Sequence, residues 1–216
     1  MEKSGAMIRD HVRRLITDLG SGDAATVQPA PLTASLALEQ THLLQSVQAA
    51  LADPILKLAT PPDYATRRLK GIRADLAHYH AIGLLPAEFV DLHLTDDEID
   101  AICHALINLL EGPPEQAGSA ACALSACDRP CAIVPLARAV RPLAPADKGG
   151  AVQAIRALGR VLIASRGRVA EKPLDAARQE VVAALRFAAE RAPAGTLVQD
   201  AAGEELLRLT VALAKT

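Results

Sequence analysis

The side chains best suited to chemistry in this sequence are thiols and imidazoles. Cys122, Cys127 and Cys131 fall in a ten-residue span, and Cys103-His104 precedes them. Structural zinc takes four such ligands at the corners of a tetrahedron. The spacing leaves four residues between Cys122 and Cys127 and three between Cys127 and Cys131, with no CxxC. Positions five apart on a helix point about 140° apart, so Cys122 and Cys127 diverge. A cysteine among alanines also behaves as a small hydrophobe. The four thiols are therefore read as core filler in a reducing compartment, because they make no disulfide framework for a chain of 216 residues.

Four of the six histidines, His78, His80, His93 and His104, lie in a segment that also carries Asp75, Glu88 and Asp91. Asp75 and His78 are three apart, which makes them neighbours on a helix. Carboxylates with imidazoles form a common metal-ligand set. One alternative is thus a metal-dependent enzyme or metal-binding protein built on segment 75–104. The signatures that would strengthen it are missing, since no HExxH, GxSxG, P-loop or GxGxxG occurs. Ser119 and Ser125 have no base identifiable by spacing. Asp96, Asp97 and Glu98 are accounted for by the preference of helix starts for negative charge. The expectation is a non-enzymatic protein with no catalytic residues, no metal ligands and no cofactor.

Charge is the more informative pattern. Residues 75–128 hold ten Asp or Glu and no Lys or Arg, while residues 129–172 hold nine Lys or Arg against only Asp147 and Glu171. The whole chain is nevertheless close to neutral, at −2. Arg156 and Arg160 are four apart, opposite the apolar positions Ile155, Leu158 and Leu162. Arg138 and Arg141 are three apart on the preceding helix, and Arg166 and Arg168 follow in a loop. A basic ridge of Arg138, Arg141, Arg156 and Arg160 would receive an acidic partner or a phosphate backbone. Its bland counterpart is a solvated face that neutralises the acidic block beside it.

These residues need elements to hold them. Half of the chain is hydrophobic, with no Trp, two Phe and two Tyr. Such a core is built of Ala, Leu, Val and Ile, and Ala and Leu favour helix. Apolar spacing predicts helices over Met7–Leu19, Leu32–Ala59 with a break at Asp53-Pro54, Tyr64–Ile82 and Pro86–Leu92. Thr95 and Glu98 form a capping-box signature ahead of Ile99, Ile102, Leu106, Leu109 and Leu110. Further helices are expected over Glu115–Cys127, from Pro130 to an end bracketed by Pro142 and Pro145, and over Asp147–Ala164, Pro173–Arg191 and Thr196–Ala214. Short connections favour antiparallel neighbours. Residues 1–30 are read as an N-terminal helix or arm, and 31–216 as a single helical domain, irregular over 31–98 and repeat-like over 99–214. The start, Met1-Glu2-Lys3-Ser4-Gly5, lacks the apolar run of a signal peptide, and no stretch is long enough to span a bilayer. A cytoplasmic protein without membrane contact is expected.

The run from Ala121 to Val140 (ACALSACDRPCAIVPLARAV) resembles a HEAT-repeat unit. A small-residue helix is followed by an Asp-Pro-like turn at Asp128-Arg129-Pro130, then by an Ile-x-Pro-Leu core at Ile133 to Leu136. Ile155-Arg156-Ala157-Leu158-Gly159 echoes the Ala-Leu-Gly end of such a helix. The resemblance spans about residues 99–214. It implies an all-α, right-handed stack of antiparallel helix pairs, an α-solenoid, acting as a scaffold or adaptor that binds a partner protein through a concave surface. Independently, each amphipathic pair leaves an apolar stripe that only a neighbouring pair can cover. The expected partner is a protein with an acidic surface, with self-association between acidic and basic segments as a further mode. HEAT-like folds also include DNA-alkylation glycosylases, but capture of a base relies on stacking side chains that this chain barely has. Nucleic-acid binding by the basic ridge stands as the third alternative.

Overall fold

In a computed structural model, the described residues are 2–21, 30–52, 67, 70, 74, 94–127, 129–146, 148–165 and 171–213. They form eight α-helices and one 3-10 turn, and no strand occurs among them. The helices are α1 (Glu2–Leu19), α2 (Ala30–Ala52), α3 (Asp96–Leu109), α4 (Pro114–Leu124), α5 (Ile133–Ala146), α6 (Lys148–Ala164), α7 (Glu171–Arg191) and α8 (Leu197–Leu213), with the 3-10 turn at Pro130–Ala132 opening α5. The all-α expectation is met. Arg67, Lys70 and Ala74, within the helix expected at Tyr64–Ile82, are helical; the rest of that span, Pro86–Leu92 and the break at Asp53-Pro54 lie outside the described residues.

Local chemistry explains most helix ends. The Thr95 hydroxyl accepts from the Glu98 backbone N–H, and the Glu98 carboxylate accepts in return from the Thr95 backbone N–H at 2.8 Å, completing the capping box. Pro130 occupies the first position of the 3-10 turn, where its missing N–H costs nothing. Gly195, at φ 72°, takes the left-handed position in the α7–α8 connection. Gln199 reinforces that connection, accepting from Gly195 N–H at 2.9 Å and donating to the Ala189 carbonyl at 3.2 Å.

Two ends differ from expectation. α5 continues through Pro142 and Pro145 to Ala146 instead of stopping there. Both prolines are exposed and lie near the end of the helix, and Arg138 and Arg141, whose carbonyls lose an N–H partner, are exposed too. α4 ends at Leu124 rather than Cys127, which leaves Cys127 in the turn that leads to Pro130.

The packing follows a simple rule. Each described helix touches the next described one, and α1 touches α3, α5 touches α7, α2 touches α4, α4 touches α6 and α6 touches α8. α3 reaches α5 through the 3-10 turn. The odd-numbered helices thus make one row and the even-numbered helices another, with the core between them. Leu19, Leu38, Ile99, Ile102, Leu106, Leu124, Leu136, Ile155, Leu158 and Leu185 are among the largest fully buried side chains. α1, the segment read as an arm, contributes Val12, Leu15 and Leu19 to this same core. Thr41 of α2 holds the residue before the Thr95 cap: its hydroxyl donates to the Ala37 carbonyl at 2.9 Å and accepts from Leu94 N–H at 3.3 Å. No helix among the described residues is long and apolar enough to cross a membrane.

Candidate partner-binding surface

α6 buries Ala154, Ile155, Ala157, Leu158, Val161 and Leu162, which leaves Arg156 and Arg160 exposed one turn apart. Their surroundings belong to the even-numbered row. The Arg160 charge acts on Glu39 of α2, on Cys122 of α4 and on Glu205 of α8, and the Arg156 charge also acts on Glu205. Glu205 is a buried carboxylate, 8% exposed, that forms an ion pair with Arg208 at 3.0 Å. Burial raises its pKa, and Arg208, Arg160 and Arg156 offset part of that rise. A Cβ at position 159 would meet the Glu205 carboxyl group, the movable end of its side chain. The charges of three guanidinium groups thus act on one buried carboxylate. Among the described residues Arg156 and Arg160 form no ion pair.

Arg138 and Arg141 sit on α5 and face the odd-numbered row. Arg141 pairs with Glu180 of α7 at 3.6 Å. Arg138 is exposed beside a shallow pocket of about 230 Å³, walled by Ile107, Leu110 and Glu111 at the end of α3 and by Pro135, Ala139 and Pro142 of α5. The four arginines expected to make one ridge are thus two pairs with different neighbours.

The junction between the acidic and basic blocks is also in the odd-numbered row. Arg129, first residue of the basic block, reaches Asp96 and Asp100 of α3 at 2.7 Å each. Arg9 of α1 pairs with Glu98. Burial would raise the Glu98 carboxyl, but hydrogen bonds from Thr95 and Arg9 outweigh it and hold the pKa below the ordinary value. Here the bland reading of the charge pattern applies, since neighbouring blocks neutralise each other.

The cysteines divide as well. Cys103 of α3 and Cys131 of the 3-10 turn place their sulfurs 3.8 Å apart, with Cys127 beside Cys103. Cys122 is exposed on α4, on the other row. Among the described residues no three His, Cys, Asp or Glu side chains stand where they could hold a metal ion. Of the histidine-bearing segment, His78, His80, Glu88, Asp91 and His93 lie outside the described residues, as do Arg166 and Arg168. His104 is exposed, its Nδ1 2.8 Å from the Asp100 carbonyl of its own helix.

Sequence reasoning missed Glu205 and Arg208. Their only local signal is the i,i+3 spacing, and what makes them important is a contact with α6 across about two helices of chain. Compared with family models, with curated proteins and with solved structures, the chain matches none.

Proposed function

We propose that the chain is a non-enzymatic helical-repeat scaffold, a right-handed HEAT-like stack of antiparallel helix pairs, that binds a partner protein of acidic surface. The packing of α1 on α3, α5 on α7, α2 on α4, α4 on α6 and α6 on α8, with α3 and α5 joined by the 3-10 turn, supports the stack, because it is the pattern expected when pairs cover one another's apolar stripes. The binding reading is carried by one observation. Arg156 and Arg160 stand exposed and unpaired among the described residues, whereas Arg129, Arg141 and Arg208 each have a carboxylate. Exposed guanidinium groups one turn apart match carboxylates along an acidic segment, with bidentate geometry available to each. The binding face is then the even-numbered row, which we take as the concave one, with Arg138 and Arg141 on the other row as secondary contacts.

Binding to immobilised poly-glutamate tests this. The wild-type chain should bind, more weakly as salt rises. Arg156→Glu with Arg160→Glu should lose about tenfold or more in affinity, equivalent to about 1.4 kcal/mol, with an unchanged far-UV spectrum. Equal binding by the double variant overturns the reading. Stronger retention on duplex DNA than on poly-glutamate, with a steep salt slope, would replace it with nucleic-acid binding.

A further inference from the structure

Two of the four cysteines are exposed, Cys122 and Cys131, and two are buried, Cys103 and Cys127. The exposed pair differ in one respect. Cys131 has the Cys103 sulfur 3.8 Å away, while the charged neighbours acting on Cys122 are Glu39 and Arg160, with no second sulfur among them. A disulfide needs its sulfurs at about 2.05 Å, and at 3.8 Å the two sulfurs are already in contact, with Cys131 at an exposed position.

We propose that Cys131 is a thiol-exchange site whose resolving partner is Cys103, so that a small-molecule disulfide converts the two thiols into a bond joining α3 to the turn that opens α5. Burial sets the order of steps. Cys131 gives its proton to water and its sulfur attacks one sulfur of the small disulfide. The S–S bond breaks, and one thiol leaves with a proton. Cys103, shielded from the reagent, then loses its proton and attacks the Cys131 sulfur, releasing the second thiol. Two protein S–H bonds are lost and one S–S bond is formed, and the small disulfide takes up two electrons and two protons. The Cys127 thiol beside Cys103, the Cys103 thiol beside Cys131, and burial push both pKa values well above that of a free thiol. The pair therefore rests as thiols, and its exchange is slow because little thiolate is present. The bond would staple the α3–α5 junction where the pocket beside Arg138 lies. This inference does not rest on the binding reading.

The test is peptide mass spectrometry of the full chain after incubation with oxidised glutathione and alkylation of the remaining thiols. The expected map joins Cys103 to Cys131 and leaves Cys122 as a glutathione mixed disulfide. In Cys103→Ser, the mixed disulfide at Cys131 should rise about tenfold or more over wild type, because nothing resolves it. Cys131→Ser, altered at an exposed position, should show no cross-link and a free Cys103 thiol, and it decides the matter if Cys103→Ser does not fold. Wild-type Cys131 carrying a stable mixed disulfide like Cys122, or Cys103 joined to Cys127 instead, overturns the proposal.

Discussion

α3 and α4, one from each row, meet the same packing requirement with different residues. α3 buries Ile99, Ile102, Cys103 and Leu106, whereas α4, packed against it, buries Ala117, Gly118, Ala120, Ala121, Ala123 and Leu124. Large side chains on one helix fill the space that small ones on the other leave open, which keeps the interior dense. The charges differ in parallel. In the odd-numbered row, acidic and basic blocks meet and pair, through Arg129 with Asp96 and Asp100 and through Arg9 with Glu98. In the even-numbered row, three arginines share the vicinity of one buried Glu205, and two of them keep no partner within ion-pair distance among the described residues. The lesson is that a block pattern in sequence can be spent inside the fold in one place and left available in another.

The comparison breaks most visibly through packing. Leu106→Ala in α3 should cost about 2–5 kcal/mol, and Ala120→Leu in α4 about 1–3 kcal/mol, both read from urea unfolding. If α4 accepts leucine at position 120 without cost, its small residues are not a packing requirement and the contrast between α3 and α4 fails. A smaller effect is expected at the block junction. Arg129→Ala should lose about 1 kcal/mol or less, and the loss should shrink in high salt, since the aspartates it meets are largely exposed.

The subtlest contrast is in the sign of pH dependence. Glu98 has a folded pKa below its ordinary value of 4.5, so its contribution is present above that value and is lost as pH falls through the folded pKa. Glu205 has a raised pKa, so the folded state binds its proton more tightly than the unfolded state does. Its charged form weakens the fold at neutral pH, and stability from this group recovers as pH falls through the raised pKa. Glu98→Gln should therefore flatten the acid loss of stability, and Glu205→Gln should remove an opposing slope. Both are checked by urea midpoints measured between acidic and neutral pH. Slopes of the same sign for the two variants would erase the distinction.

How much of this could be read from residues alone depends on how far apart the partners lie in the chain. The Thr95–Glu98 capping box was fully legible because both halves of it sit within one turn. The exposure of Arg156 and Arg160 followed from the apolar face of α6. The Arg9–Glu98 pair was not legible, because 89 residues separate its members and only packing of α1 on α3 joins them. Gly159 resembles the end of a repeat motif in sequence, and the structure adds that the Glu205 carboxyl group from α8 lies against it. Pro142 and Pro145 were read as stops, yet on an exposed face near the end of α5 they interrupt few hydrogen bonds. The four arginines of the expected ridge have two different sets of neighbours for a related reason. Consecutive helices alternate between rows, so adjacency in sequence separates exposed residues rather than joining them.

The central claim is that the charge left available on the even-numbered row binds an acidic partner. The most direct measurement compares poly-glutamate affinity for two charge reversals side by side, Arg156→Glu with Arg160→Glu against Arg138→Glu with Arg141→Glu. The account predicts a loss of about tenfold or more for the first pair and a clearly smaller loss for the second, since Arg141 already has Glu180. Equal losses, or a larger loss from the α5 pair, would contradict it.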